Sequence, residues 1–191
     1  MTRSAETEFA TLLETVPIRP MRRRLVRCVA ALSFLEGTPP RFLRTSGRPG
    51  RCNPRDVDCL YFSETERVAD REFHGRFAGV GTATEPRLTF YARVDLKGVV
   101  DLSLPAVLNA LGMSIDDVLE AWRGAPSPTR LQRLGLAVSS QRRVCAIRFA
   151  SDACRRAGTT GWNVAIFPDA LVAPSRVWIL GRSDTSLEEL P

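Results

Sequence analysis

At 191 residues, with 44% hydrophobic and 25% charged side chains, the chain suits one soluble domain with a sizeable core. That composition excludes collagenous, low-complexity and coiled-coil architectures. The formal net charge of +6 invites a nucleic-acid reading, yet Lys97 is the only lysine and the other cations are arginines scattered along the chain. This pattern reads mostly as coding bias, although a basic face still draws in an anionic ligand such as a dinucleotide.

The first predicted element is a helix over 4–15, where Phe9, Leu12 and Leu13 recur at helical spacing, and Pro17 and Pro20 break the chain after it. A strand is expected over 24–29. Alternation there sets Leu25 and Arg27 against Val26 and Cys28, with Arg27 on the less apolar side. Residues 35–58, rich in Gly, Pro and Arg, read as a long loop. A short buried strand follows at 59–63. Ser63 and Glu66 have capping-box spacing, which predicts a helix from Ser63 to about Phe77 with Ala69, Phe73 and Phe77 as its apolar stripe. Glu72 falls at the edge of that stripe, and His74 on the solvated side.

Residues 78–86 are turn material, 87–96 alternate as a strand, and two short helices are expected at 105–112 and 115–122, the second capped at Ser114. A helix over 129–140 and strands at 144–150, 162–167 and 176–180 complete the pattern, with a loop or short helical turn at 151–161. The polar tail 181–191 is expected to be loose. Without regular βαβ alternation the fold class is α+β, a single compact domain of small mixed sheets flanked by helices.

The five cysteines are odd in number and none has CxxC spacing; with one histidine, His74, a metal site is poorly supplied. The thiols behave as small hydrophobes and suit a reducing cytoplasm. No signal peptide or membrane span is expected. Nucleotide-binding glycine loops, HExxH and GxSxG are missing. What stands out is a set of polar residues in awkward places: Arg27 in an apolar strand, Arg51 after a glycine, Tyr61 inside a strand, Glu72 on a packed helix face, Ser151 ending a strand and Asn163 starting one. Each has an ordinary alternative. Arg27 and Glu72 would make a buried ion pair, Tyr61 plain core, and Ser151 with Asp152 a turn cap.

Taken in order, "LVRCV", "GRCNP" and "LYFSETERVADRE" resemble the opening half of the RES domain, a toxin family named for Arg, Glu and Ser. "VDLKGVVDLSLPAVLNALGM", "SPTRLQRLGLAV" and "AIRFASDACRRAGTTGWNVAIFPDAL" resemble its later segments, so the likeness spans about 22–180. It leaves 1–21 as a helical extension and 181–191 as a tail. Cys52 stands where the family turn usually has Phe or Trp, and the loop between the two arginines is long and Pro-rich.

The resemblance implies an ADP-ribosyltransferase-like fold acting on NAD+ as substrate, with no metal required. It implies a cognate antitoxin, a protein target where ADP-ribose is transferred, and no membrane or nucleic-acid partner. Arg27 and Arg51 match the family arginines, Tyr61 the active-site tyrosine, Glu72 the glutamate, Ser151 the serine and Asn163 an asparagine. On that reading Glu72 stabilises the ribose cation formed as nicotinamide leaves. Arg27 and Arg51 take the pyrophosphate, Tyr61 offers a flat face to nicotinamide, and Ser151 bonds ribose or the amide. Two competing readings remain: a non-catalytic basic module binding nucleic acid or a protein partner, and an inactive RES relative that binds without turnover.

Overall fold

The structure is a computed structural model describing residues 3–32, 43–75, 86–181 and 184–191, with residues 3–7 as backbone only. Helix α1 (Arg3–Thr15) buries Phe9 and Leu13, one helical turn apart, against the helix formed by Arg130–Ser139. Arg143 Nη2 donates to the Val16 carbonyl at 3.1 Å and satisfies an acceptor just past the helix end.

Strand β1 (Arg19–Ala30) is longer than its expected 24–29. Of the two prolines expected to break the chain, Pro20 lies inside the strand. The pairing register shifts there between Arg19 and Met21, and such an irregularity tolerates a residue without an N–H. Arg27 does not take the less apolar side. It shares its face with Leu25 and Val29, both in the main core, while Val26 and Cys28 pack in a smaller cluster with Ala69 and Phe73. The arginine is accommodated on the core side because backbone carbonyls of Leu43 and Tyr61 accept from its Nη1, the latter at 3.3 Å.

Strand β2 (Leu60–Ser63) leads into α2 (Glu66–Gly75). The helix starts later than the capping-box spacing predicts. Thr65 is the capping side chain, accepting from the Val68 amide at 3.3 Å, because Ser63 is a ladder residue paired with Val26 and Asn163. Residues 33–42, which include the first part of the expected loop, and the stretch 76–85 with the stripe position Phe77 lie outside the described residues. His74 is exposed, as its helix face predicts.

Strand β3 (Arg87–Asp101) continues past the expected 96 because Val99, Val100 and Asp101 find a partner in a later strand. Helices α3 (Pro105–Ala110) and α4 (Ile115–Leu119) are both shorter than predicted, and Ser114 caps α4 through a capping box with Asp117. Helix α5 (Arg130–Ser139) has a capping box from Thr129 and Gln132. There follow β4 (Ala146–Ala150), α6 (Asp152–Arg156) with Ser151 as its cap, β5 (Trp162–Ile166) and β6 (Arg176–Leu180). The tail expected to be loose instead forms β7 (Ser186–Leu190), which pairs with β6, buries Leu190 and sets Glu189 against Arg176 at 2.7 Å.

The strands form one seven-stranded mixed sheet in the order β1-β2-β5-β4-β3-β6-β7, with β1 also paired to β3. That second pairing closes β1, β2, β5, β4 and β3 into a ring. All neighbours are antiparallel except β3 and β4. An ionic network ties several of these strands together. Arg148 of β4 bonds Glu64 through Nε and Nη2 at 2.7 and 3.2 Å, and Asp101 at the end of β3 through Nη1 at 3.0 Å. The Trp162 ring lies 4.3 Å from the Arg148 guanidinium. Burial opposes charge on Asp101, yet bonds from Ser103 and Arg148 hold its carboxyl below the ordinary value. Among the described residues no helix is long and apolar enough to cross a membrane.

Candidate active site

The "GRCNP" turn is built around Asn53, which is fully buried. Its Nδ2 donates to the carbonyls of Arg48 and Val57 at 2.9 and 2.7 Å, and its Oδ1 accepts from the Tyr61 hydroxyl at 2.7 Å. The Cys52 amide donates to the same hydroxyl at 2.7 Å. Burial pushes the Tyr61 hydroxyl well above the ordinary phenol range, which keeps the proton that it donates to Asn53. Gly50 is required by this packing: a Cβ there would lie 2.6 Å from Asn53 Oδ1 and 2.7 Å from the Tyr61 oxygen. The close approach that a glycine permits before Arg51 is thus to Tyr61 and Asn53.

Helix α5 braces the turn from behind. Gln132 Nε2 donates to the Gly50 carbonyl at 2.7 Å, and Gly135 lets the Cys52 carbonyl sit where a Cβ would be only 1.6 Å away. Cys52 is fully buried beneath the turn and does not itself line the cleft. Burial pushes its thiol far up from the ordinary value. All five cysteines are free and buried.

In front of the turn lies a cleft of about 690 Å³, within the size range of pockets that hold small ligands and cofactors. Arg27, Arg51, Tyr61, Glu72 and Asn163 line it. Glu72 projects from α2, and both of its hydrogen bonds come from neutral donors to a single oxygen: Ser151 Oγ and Asn163 Nδ2 each reach Oε1 at 2.6 Å. Oε2 accepts no bond from the described residues. Asn163 is oriented in turn by Ser63, whose Oγ donates to its Oδ1 at 2.8 Å. Ser63 at the end of β2 and Asn163 at the start of β5 are direct ladder partners, so the sheet register itself sets this bond.

Ser151 is brought to Glu72 but is buried and does not line the cleft. Its hydroxyl donates to Glu72 and accepts from the Cys154 amide at 3.1 Å as the cap of α6. Ser151 is thus the cap that its ordinary reading gives it, and its hydroxyl is engaged by Glu72 and Cys154 where a bond to ribose or the amide was expected. Glu72 takes its bonds from Ser151 and Asn163, not from Arg27 in a buried ion pair. Arg51 is anchored away from Glu72. Its Nη1 donates to the carbonyls of Val118 and Glu120 at 3.2 and 3.1 Å, and its Nη2 lies 3.6 Å from Asp152. The ring of Tyr61 lines the cleft with its polar end fastened in the turn, edge-on to Phe149 at 6.3 Å between centroids.

Sequence reasoning missed Ser63, Asn53 and Gln132. Asn53 sits in the quoted turn and was legible there. Ser63 resembled a helix cap, and only the strand pairing reveals its bond to Asn163. The cleft is strongly cationic: Arg27, Arg51, Arg123, Arg155 and Arg156 line it against Glu72 and Asp152. Among the described residues no group of three or more His, Cys, Asp or Glu is placed to hold a metal ion.

Such an arrangement can orient one carboxylate oxygen at a ligand while arginines face anionic oxygens. No curated protein matches the chain. The solved structure of the M. tuberculosis MbcT–MbcA toxin–antitoxin complex is similar with a TM-score of 0.60 and 16% identity, over 87% of this chain and 86% of that one, a likeness of fold. The RES domain model matches residues 24–183, and the chain belongs to that family.

Proposed function

We propose that the chain is the toxin of a toxin–antitoxin pair and that it consumes NAD+ by breaking the bond between nicotinamide and ribose in the cleft beside Glu72. The carrying observation is the Glu72 carboxylate, which lines the cleft and is pinned through Oε1 by Ser151 and Asn163 with Oε2 unbonded among the described residues. Family membership supports the reading, as does a fold like that of a chain from a toxin–antitoxin complex.

When the C1′–N bond breaks, its electron pair leaves with nicotinamide, which becomes neutral, and positive charge moves onto the ribose. A fixed carboxylate oxygen beside that ring gains attraction only as the charge develops, which is the condition for lowering the barrier. Two neutral donors on the other oxygen hold the group in place without cancelling its charge, and the packed helix keeps it from swinging. Arg27 and Arg51 face the pyrophosphate, and Tyr61 supplies a flat wall for nicotinamide. The acceptor then gives a lone pair to C1′ and loses a proton. Water yields ADP-ribose, phosphate its phosphorylated form, and a protein side chain an ADP-ribosylated target.

The toxin acts in the cytoplasm, with a cognate antitoxin covering the cleft until it is removed. Two experiments test this. Product identification after incubation with NAD+, with and without phosphate, separates the three acceptors. Expression in bacteria is expected to arrest growth, with relief by Glu72→Ala. Arrest undiminished in that variant, or NAD+ returned intact, contradicts the proposal. A basic nucleic-acid module would instead show salt-steep binding indifferent to Glu72.

A further inference from the structure

The network around Glu72 occupies one side of the cleft. The end of α4 and the segment after it also border this space, through Leu119, Ala121, Trp122 and Arg123. Helix α4 stops there because Glu120 leaves helical geometry, at φ −49° and ψ 138°. Trp122 is left half-buried between two exposed neighbours, with the Arg123 guanidinium 4.8 Å from its ring centroid. A large aromatic ring at the lip of a polar, cationic cleft leaves apolar area in water that a flat ligand would cover.

The segment is held in place by its backbone. Arg51 donates to the carbonyls of Val118 and Glu120, and the same guanidinium faces Asp152. Asp152 follows Ser151, whose hydroxyl bonds Glu72. These contacts link, in order, the carboxylate of Glu72, the guanidinium of Arg51 and the segment that carries Trp122, all of which border the cleft. A dinucleotide has the matching sequence of a reacting ribose, a pyrophosphate and a second base.

The geometry points to Trp122 as the stacking platform for the purine half of the dinucleotide, with Arg51 as the positioning residue that fixes the platform. This rests on the NAD+ reading above. With Arg123 over one face of the indole, a purine on the other completes a three-layer stack. Stacking of this kind contributes equally to ground and transition states, so it governs KM and leaves kcat largely alone.

The test is binding of AMP, which carries the purine and one phosphate but no scissile bond, beside binding of nicotinamide mononucleotide. Both are measured by calorimetry on the full chain in wild type, Trp122→Ala and Trp122→Phe, with circular dichroism confirming the fold. Trp122→Ala is expected to weaken AMP about tenfold or more, with affinity recovered in Trp122→Phe and nicotinamide mononucleotide unaffected. For NAD+ cleavage, KM rises in Trp122→Ala while kcat stays within about twofold. AMP bound equally by wild type and Trp122→Ala, or not bound by wild type, overturns the proposal, as does an equal loss of both mononucleotides. AMP binding that depends on Trp122 without any NAD+ cleavage leaves the platform standing and removes the reaction. Cleavage with AMP affinity indifferent to Trp122 does the reverse.

Discussion

Glu72 owes its orientation to two uncharged side chains, and each makes a separable prediction. Ser151→Ala removes one of the two bonds to Oε1 and also the cap of α6. A hydrogen bond to a charged group contributes about 1.5–3 kcal/mol, so kcat for NAD+ cleavage is expected to fall about 10- to 100-fold. The lost cap adds about 1 kcal/mol of destabilisation in a denaturant titration. Ser63→Ala acts one bond further out, since it only frees the Asn163 amide to turn. Its kcat should fall less than that of Ser151→Ala, and an equal or larger loss would show that Ser63 does more than orient Asn163. Glu72, Arg27, Arg51, Tyr61 and Asn163 were all legible as oddly placed polar residues, and the structure brings them to one cleft. Ser151 was legible too, although it reaches Glu72 from outside the cleft lining; Ser63 was not. A buried serine that bonds a strand neighbour 100 positions away leaves no local signal, and Ser63 mimicked a cap because Glu66 happens to follow it at the right spacing.

At the scale of elements, the site depends on how closely α5 approaches the "GRCNP" turn. Gly135→Ala would drive a methyl group to within 1.6 Å of the Cys52 carbonyl carried by that turn. Overpacking in a tight core costs about 1–3 kcal/mol or more, and here the obstacle is backbone that cannot rotate away. The variant is expected to melt well below wild type, read by circular dichroism, and an unchanged melting temperature would mean that helix and turn are not in contact. Helix α5 itself was expected, over 129–140, whereas its contact with the turn was not legible, because nothing in "LQRLGLAV" says what Gly135 faces. The ionic network is the second element-level feature. Arg148→Ala leaves Glu64 and Asp101 without their shared guanidinium. Removing one member of so enclosed a pair is expected to cost about 3 kcal/mol in chemical denaturation.

For the whole molecule, strand positions were legible but their pairing was not. Alternation marks the first part of β3 and an apolar run marks β6, yet the ring closure needs β1 to pair with both β2 and β3, a matter of long-range register that no window of sequence encodes. The tail shows the same limit. Its strand is held by the β6 ladder and one buried leucine rather than by an apolar run, so composition alone made it look loose. Asp101 links the fold to pH. Its folded carboxyl lies below the ordinary value, so its stabilising contribution is complete above the unfolded pKa of about 3.9 and is lost as pH falls through the folded value. Wild-type stability should drop in that acid window, and Asp101→Asn should be less stable at neutral pH with a flatter acid limb.

The most direct measurement of the central claim is the rate of nicotinamide release from NAD+ by purified wild-type protein and by Glu72→Gln, which keeps shape and hydrogen-bonding capacity and removes the charge. Wild type is expected to release nicotinamide and the variant to lose at least about a hundredfold in rate, with NAD+ affinity preserved. Equal rates in the two proteins, or no release by wild type, would contradict it.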